Sequence, residues 1–460
     1  MMDEAALAWC RRLIGCRSVT REGTRAIAEL CARELLAPRG IEAQLIESPD
    51  EGPHQVNLVA TIRGRDSALS PIVLNTHLDT VPPGEASAWT ACAGDPFTAV
   101  VTADRIYGLG AADTKLDFIA KVMGLTAGVP RRNVILVATF GEEHGLVGAR
   151  ELARSATLPR GVPAFVGEAS HLQVITAHKG LMVFELRLDF SPAPPRRKPL
   201  HRLIFAGRAA HSSTPALGRN AIRLALDALA AHRELEPCAI SGGDAVNKVP
   251  ARCEVVVGGS PADLSDATVE TFAESEASQP FVVPSTAIDI LRRFIDGLQQ
   301  FADTAGPPEP DYASPTLTCN PGLIRTHHGT IVLEFELRPP PSMPLDEVRA
   351  GLAALRASLQ AQFDDCPITL SERRANPGFR ADLASETVVL AVAALATANL
   401  PVETNVKAGC TEAGVYAAAG LKPVVFGPGP STGVIHAPNE YNLLSEVEGA
   451  IRFYRALLQS

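Results

Sequence analysis

Histidine and carboxylate side chains recur where short apolar segments of the chain end. The segment PIVLNTHLDTVPPG, residues 71–84, places His77 and Asp79 after an apolar run. If this run is a strand, residues two apart point to the same side. A carboxylate beside a histidine can accept one imidazole N–H and so offer the other ring nitrogen to a cation. The pair therefore suits metal binding, and a structural histidine is the alternative.

A second candidate, Asp113, lies in GLGAADTK, residues 108–115. The two glycines of this segment allow a tight backbone path. A helix-like run begins at Lys115, directly after the aspartate. Aspartate is a favoured N-cap residue. A capping role is therefore the alternative to a metal ligand at this position.

Two adjacent glutamates, Glu142 and Glu143, follow the apolar run NVILVATF in the sequence GEEHG, residues 141–145. Neighbouring carboxylates repel one another unless a cation or solvent relieves the repulsion. Because successive residues can point in different directions, one glutamate can bind a metal ion while the other faces a water molecule. A solvated acidic turn is the alternative.

Two further residues complete a set of possible ligands. Glu168 follows the short apolar run in VGEAS, and His436 lies in the Gly- and Pro-rich segment GPGPSTGVIHAPNE, residues 427–440. Histidines and carboxylates without suitably spaced cysteines favour two closely placed Zn²⁺, Co²⁺ or Mn²⁺ ions over a structural zinc site. The five possible ligands are His77, Asp113, Glu143, Glu168 and His436.

The elements that must position these residues follow an alternating pattern over the first 180 residues. Apolar residues three and four apart predict helices, whereas short apolar runs predict strands. Runs that are apolar on both faces are typical of strands covered by helices on two sides. We therefore predict an α/β region with sites at the carboxyl ends of its strands. The predicted helices are 4–13 and 24–36, and the predicted strands are 56–62, 72–75, 134–140 and 164–167.

The pattern changes after residue 180, where a new sheet is predicted. An alternating run at 181–190, a Pro- and Arg-rich loop at 191–199 and an extended run at 203–208 come first. From residue 378 the pattern returns to helix and buried strand, with a strand at 423–426 and a terminal helix at 444–458. We therefore predict an inserted domain at 181–370 and a first domain formed by 1–180 and 371–460. Further predicted elements of the insertion are a helix at 219–231, a strand at 253–257, a Ser/Ala/Asp/Glu-rich stretch to 280, a helix at 288–301 and a Pro-rich linker at 306–315.

Composition excludes several classes of function. The chain has 460 residues, with 42 Lys and Arg against 51 Asp and Glu, a formal net charge of −9. This balance provides no basic patch for nucleic acid or an anionic membrane. The longest strongly apolar stretch is shorter than the ~20 residues that span a bilayer. The nine cysteines include no C-x-x-C pair, and the N-terminal segment lacks the order of a signal peptide. We predict a cytoplasmic protein that binds neither nucleic acid nor membrane.

The order and spelling of these motifs resemble the dinuclear-zinc aminoacylase and carboxypeptidase family, which includes acetylornithine deacetylase, succinyl-diaminopimelate desuccinylase and glutamate carboxypeptidase. The resemblance covers most of the chain. It implies an α/β catalytic domain, with a mixed, mostly parallel sheet flanked by helices, and an inserted α+β lid and dimerisation domain. It also implies two divalent ions, Zn²⁺ or Co²⁺, and a homodimer.

The resemblance implies a role for each candidate residue. In the first domain, Asp79 would orient His77 and Glu142 would be the general base. The implied ligands are His77 and Glu168 on one ion, Glu143 and His436 on the other, and Asp113 bridging both. None of the departures from the family pattern, which are Leu109, Leu116 and His144, removes a proposed ligand.

The second domain carries the remaining roles that the resemblance implies. His211, in HSSTP at 211–215, matches a family motif whose histidine stabilises the oxyanion, often in the active site of the partner subunit. Arg338, in IVLEFELRPPP at 331–341, is similar to the family's carboxylate-binding arginine. The family's asparagine is matched by both Asn247 and Asn320.

These observations favour a metal-dependent amidohydrolase that removes an N-acyl group, with acetyl expected, from an amino acid such as N2-acetyl-L-ornithine. The segment GCTEAGVYAAAG, residues 409–420, and the GPG loop are similar to the acetylornithine deacetylase branch. A desuccinylase and a dipeptidase or carboxypeptidase are the alternatives with the same chemistry. A catalytically silent relative that binds metal or an amino acid is the alternative of another class.

Overall fold

A computed structural model describes residues 2–196, 199–261, 264, 266–271 and 281–460. The chain forms two compact units, one of residues 1–178 and 378–460 and the other of residues 179–377. Two predicted segments lie partly outside the described residues. They are the Ser/Ala/Asp/Glu-rich stretch to 280 and the loop at 191–199. Strands and helices are numbered along the whole chain.

The first unit is built on a mixed nine-stranded sheet in the order β1-β2-β6-β3-β7-β19-β8-β17, with β18 paired to β8. Its central strands β6, β3, β7 and β19 are parallel neighbours. The predicted mixed α/β sheet is therefore confirmed. The strands are β1 (Ala43–Ser48), β2 (Gly52–Ile62), β3 (Ile72–His77), β6 (Val134–Thr139), β7 (Pro163–Gly167), β8 (Val174–His178), β17 (Phe379–Arg380), β18 (Thr404–Lys407) and β19 (Lys422–Val425); a small separate sheet joins β4 (Val100–Val101), β5 (Arg105–Tyr107) and β20 (Tyr441–Leu443).

Helices cover this sheet on both faces because its central strands are apolar on both. Leu74 of β3 belongs to a core shared with α1, α2, α3, α8 and α10, whereas its neighbour Val73 belongs to a core shared with α4 and α9. Alternation along the strand sends successive side chains into opposite layers. The helices are α1 (Glu4–Gly15), α2 (Arg25–Leu30), α3 (Lys115–Leu125), α4 (Val147–Arg154), α8 (Glu386–Thr397), α9 (Glu412–Ala418) and α10 (Leu444–Gln459).

A buried polar network ties α3 to the central strands. Asp117 and Lys121 of α3 are fully buried and form an ion pair of 2.5 Å. Thr76 of β3 donates to Asp117 Oδ2 at 2.6 Å, and Tyr454 of α10 donates to Asp117 Oδ1 at 2.7 Å. A Cβ atom added at Gly167 of β7 would lie 1.9 Å from Asp117 Oδ2. Glycine is therefore required there, because any side chain would displace the network.

The second unit is an eight-stranded antiparallel sheet in the order β13-β10-β12-β11-β14-β15-β9-β16. Helices α5, α6 and α7 share one hydrophobic core with it. The unit is therefore α+β, as the sequence predicts. Its elements are β9 (Leu181–Asp189), β10 (Leu200–Ala206), α5 (Ala221–Ala231), β11 (Glu236–Gly242), β12 (Arg252–Gly258), β13 (Ala267–Thr271), α6 (Ser285–Thr304), β14 (Thr318–His327), β15 (Thr330–Arg338), α7 (Leu345–Gln362) and β16 (Ile368–Asn376).

The second predicted domain boundary needs a correction. The sequence places it between residues 370 and 371, but this position falls inside β16. Because β16 is paired with β9 along nearly its whole length, residues 371–377 belong to the second unit. The change of sequence pattern at residue 378 marks the true end of the inserted segment.

Two further features concern the helices and the cysteines. Across the part of the chain that the structure describes, every helix is too short or too polar to cross a membrane. Seven of the nine cysteines are buried, and none of these seven forms a disulfide.

The buried network yields a stability prediction. Lys121→Met leaves Asp117 charged and buried without its cation, which costs about 3–5 kcal/mol. We expect the free energy of unfolding, measured by denaturant titration, to fall by this amount. Lys422→Met, at an exposed lysine of β19, is the matched control and should change the free energy by less than about 0.5 kcal/mol. An equal loss in both variants would contradict a structural role for the network.

Candidate metal centre

The carboxyl ends of the central strands bring the predicted ligands together. His77 is the last residue of β3, Glu142 and Glu143 follow β6, and Glu168 follows β7 directly. His436 lies in the loop after β19. Since β6, β3, β7 and β19 are parallel neighbours, their carboxyl ends meet at one edge of the sheet, which is where sites form in open α/β folds.

The side chains form two groups that could each hold a metal ion. In each group, ligand atoms of the three residues lie within 4.8 Å of one another. Asp113 belongs to the second group but also faces the first, because its Oδ1 lies 3.1 Å from His77 Nε2 and its Oδ2 lies 3.0 Å from His436 Nε2. The first group is His77, Glu142 and Glu168, and the second is Asp113, Glu143 and His436.

The Asp79 carboxylate fixes the backbone that carries Glu142 and Glu143. It accepts the backbone N–H of Glu142 at 3.2 Å, that of Glu143 at 3.3 Å and the hydroxyl of Thr20 at 2.8 Å. Nδ1 of His77 lies 3.1 Å from the Asp79 carbonyl and 3.6 Å from its Oδ1. A proton on Nδ1 therefore has acceptors, and Nε2 is left to face the carboxylates of the centre.

The electrostatics of the centre favour bound cations. Burial, followed by the charge of Glu168, raises the pKa of Glu142 well above its usual range. Burial would lower the pKa of His436, but its hydrogen bonds to Asp113 and Glu143 raise it to about 11. The neighbouring carboxylates raise both pKa values, because negative charge opposes ionisation of Glu142 and favours protonation of His436.

The types of ligand atom in the two groups show whether divalent ions fit this site. Imidazole nitrogens and carboxylate oxygens without thiolates suit Zn²⁺, Co²⁺ and Mn²⁺. Two such ions would neutralise the repulsion among the clustered carboxylates, which a purely structural site would leave unrelieved. The residues present therefore fit a centre of two divalent cations.

Two contributors to the centre were missed by sequence reasoning. Glu440 is buried and accepts the backbone N–H groups of Ala112 at 2.8 Å and Asp113 at 3.0 Å. Burial raises its pKa to about 8. Lys407, at the end of β18, places its Nζ 3.3 Å from Glu168 Oε2. Glu440 lies four residues after His436, and this closeness to a predicted ligand could have indicated it. Lys407 had no such signal, because a lysine at the end of a strand resembles an ordinary surface residue.

The second unit contains the other predicted site residues. His211 is exposed, and its Nδ1 accepts the backbone N–H of Ser213 at 3.1 Å. The ring proton is therefore assigned to Nε2, which makes that atom a hydrogen-bond donor. Asn247 is also exposed, and its carbonyl accepts the N–H of Ser212 at 3.0 Å. These contacts place His211 and Asn247 on neighbouring segments.

Arg338 and Asn320 are buried in the second unit and already have partners there. Nε of Arg338 donates to Glu336 Oε1 at 2.6 Å. Nδ2 of Asn320 donates to the carbonyls of Val246 at 3.1 Å and Lys248 at 2.8 Å. Because the Asn320 amide holds the segment that carries Asn247, the geometry favours Asn247 over Asn320 as the candidate for substrate contact.

Comparison with known sequences identifies a family for the chain. The sequence profile described as Peptidase family M20/M25/M40 matches residues 73–460. Acetylornithine deacetylase of Klebsiella pneumoniae is 32% identical over 240 residues, which are 47% of this chain and 56% of that protein. Acetylornithine deacetylase of Yersinia pseudotuberculosis is 30% identical over 307 residues, 61% of this chain and 70% of that protein. The matched segment thus spans little more than half of the first relative.

Solved structures share the fold at low sequence identity. Aminoacylhistidine dipeptidase from Vibrio alginolyticus has a TM-score of 0.69 at 17% identity, covering 100% of this chain and 97% of that one. An M20 family metallo-carboxypeptidase from Sulfolobus solfataricus has a TM-score of 0.63 at 18% identity, covering 99% of each chain. Identities this low bear on the fold alone.

Glu440 provides a test of how Asp113 is held. A carboxyl group with a pKa of about 8 is mainly protonated at pH 7, so Glu440→Gln keeps both its shape and its charge. Glu440→Leu instead leaves two backbone N–H groups without their acceptor. We expect Glu440→Leu to weaken divalent-metal binding by about 10- to 100-fold, and Glu440→Gln to change it little, in calorimetric titrations at pH 7. Equal metal affinity in the two variants would contradict this role.

Proposed function

Since the chain belongs to the peptidase family M20/M25/M40, whose members are metallohydrolases acting on amide bonds, we propose that it removes the N-acyl group from an amino acid. The expected acyl group is acetyl, and the expected substrate is of the N2-acetyl-L-ornithine type. The observation that carries the proposal is the pair of adjacent ligand groups, with Glu142 in the first group and Asp113 of the second group also facing His77 of the first. Similarity to acetylornithine deacetylases supports the choice of substrate.

The proposed centre holds two divalent ions, with Zn²⁺ or Co²⁺ expected. When bound, such ions lower the pKa of water and polarise a carbonyl oxygen. Asp113 would serve both ions, because its two oxygens face different histidines. The remaining ligands are His77 and Glu168 for one ion, and Glu143 and His436 for the other.

Glu142 is the proposed general base. It would accept a proton from the attacking water and later deliver it to the leaving nitrogen. The water oxygen bonds to the acyl carbon first and the C–N bond breaks afterwards, and the second water proton then passes to the amine, so the products are a carboxylate and an ammonium group. The Glu142 carboxyl group must be unprotonated for the first transfer and protonated for the second.

His211 is the proposed oxyanion donor, from its own subunit or from a partner. The Ser213 N–H fixes the acceptor role of Nδ1 and so leaves Nε2 to donate. Arg338 and Asn247 are proposed to bind the substrate carboxylate, for which a guanidinium group is suited. Ser212 also donates to Glu336, the partner of Arg338, and so links the segment of His211 to the arginine.

Two alternative activities would use the same metal centre. A dipeptidase or carboxypeptidase is supported by the structural relatives, whose names include both activities. A succinyl-diaminopimelate desuccinylase would differ only in the acyl group and side chain accepted. A catalytically silent relative would bind metal or an amino acid without turnover, and the retention of Glu142 with all five ligands argues against it.

We also propose a cytoplasmic homodimer that binds neither nucleic acid nor membrane. Seven buried cysteines that form no disulfide support a reducing compartment, where thiols stay reduced. The net charge of −9 supports the exclusion of nucleic acid. Light scattering of the purified protein tests the dimer directly.

The central test compares substrates on metal-stripped and metal-restored protein. We expect Zn²⁺ or Co²⁺ to restore hydrolysis of N-acetyl-L-ornithine in preference to N-succinyl-L,L-diaminopimelate and to a panel of dipeptides. Glu142→Gln should lower kcat by at least about 10²-fold while two ions remain bound, because it removes the base and keeps the shape of the side chain. Metal content is measured alongside activity.

Each outcome of this panel decides a different part of the proposal. Preference for a dipeptide would overturn the deacetylase assignment and keep the hydrolase. Binding of two ions without cleavage of any substrate would favour the silent relative. Failure to bind metal would overturn the centre itself.

His211 gives an independent prediction about the oxyanion. His211→Ala should reduce kcat by about 10²- to 10³-fold, because a preorganised donor is lost at the developing negative charge. Metal content should stay at the wild-type value. His328→Ala, at another exposed histidine of the second unit, is the matched control and should leave kcat unchanged. A wild-type kcat for His211→Ala would remove this residue from the mechanism.

A further inference from the structure

A lysine side chain, Lys407, lies against the acidic centre. Its Nζ is 3.3 Å from Glu168 Oε2, and its side chain is only 19% exposed. An ion pair so shielded from water is screened by salt much less than a surface pair. Lys407 ends β18, where it is paired in parallel register with His178 of β8. The sheet therefore fixes the backbone position of Lys407 beside the centre.

The two carboxylate oxygens of Glu168 have different surroundings. Oε2 accepts a hydrogen bond from Lys407, whereas Oε1 lies 4.0 Å from His77 Nε2. His77 Nε2 is the nitrogen that faces the centre, because Nδ1 is turned towards Asp79. Glu168 is thus oriented with one oxygen towards the other ligands and the second oxygen held by an ammonium group.

We infer that Lys407 is a positioning residue that restricts Glu168 to one ligand oxygen. The inference rests on the proposed two-ion hydrolase. Hydrogen bonds to ligating carboxylates orient them and tune the ion they bind. A glutamate released from this hydrogen bond could offer both oxygens to one ion. Holding Oε2 would keep the coordination number of a bound ion low, and catalytic sites require a position left open for substrate or water.

A competing role for Lys407 is direct contact with a negatively charged part of the substrate. An ammonium group is a compact point charge that could bind an anionic acyl group. The structure favours positioning, because Nζ already donates to Glu168 and most of the side chain is shielded from solvent. The two roles predict different changes on substitution, so they can be separated.

The experiment compares Lys407→Met, which keeps an unbranched chain without charge, with Lys407→Arg, which keeps the charge. Lys422→Met is the control for loss of an exposed lysine in the same unit. Metal content is measured first. X-ray absorption of the Zn²⁺-loaded proteins then reports the number of oxygen neighbours, and visible absorption of the Co²⁺-loaded proteins reports the coordination number. Steady-state kinetics are measured with N-acetyl and N-succinyl substrates.

We expect Lys407→Met to show more oxygen neighbours per zinc and weaker cobalt absorption than the wild type. Its kcat should fall by about 10- to 100-fold with little change in KM for either substrate. Lys407→Arg and Lys422→Met should keep the wild-type spectra.

Wild-type spectra in Lys407→Met with both ions bound would overturn the inference. So would a rise in KM confined to the N-succinyl substrate with unchanged spectra, which would make Lys407 a substrate contact. Fewer than two ions in the wild-type protein would overturn the proposed centre itself, and the initial metal count separates that failure from the others.

Discussion

The crowding of carboxylates at one edge of the central sheet is the constraint on which the rest of the first unit depends. Side chains at the ends of β3, β6 and β7 converge with Asp113, and their like charges oppose both ionisation and close approach. Hydrogen bonds to the backbone and to a few fixed partners hold them there. Cations that relieve this repulsion would bind at a place that folding has already prepared.

That preparation depends on groups that are not themselves candidate ligands. Thr76 and Gly167 immediately precede His77 and Glu168 along the chain, and both lie against the Asp117 carboxylate. One buried ion pair thus fixes the ends of two neighbouring strands. On the other side, Asp79 gathers the backbone N–H groups of the β6 loop. The ligands are positioned by their backbone, which limits how far their repulsion can move them.

The sequence predicted those parts of the molecule that depend on local pattern. Strand ends, helix periods and motif spelling located the candidate ligands and the α/β sheet, because each is written in adjacent residues. Pairing between distant segments was not predictable in this way. The extent of β16, the hydrogen bonds of Glu440 to the Asp113 segment and the contact of Lys407 with Glu168 all require the fold. A residue that contacts a ligand only in the folded chain cannot be recognised from the sequence motif around it.

The deacetylase-like sequence and the dipeptidase-like fold are compatible for a physical reason. The centre acts on the amide bond, which all these substrates share, so its residues cannot encode the acyl group or the side chain. Selectivity must come from groups that contact more distant parts of the substrate. In the second unit, Arg338 shares Glu336 with Ser212, so the position of its guanidinium depends on the segment that carries His211. If Arg338 binds the substrate carboxylate, as proposed, changes in that segment would alter substrate choice while the centre and its chemistry stay the same.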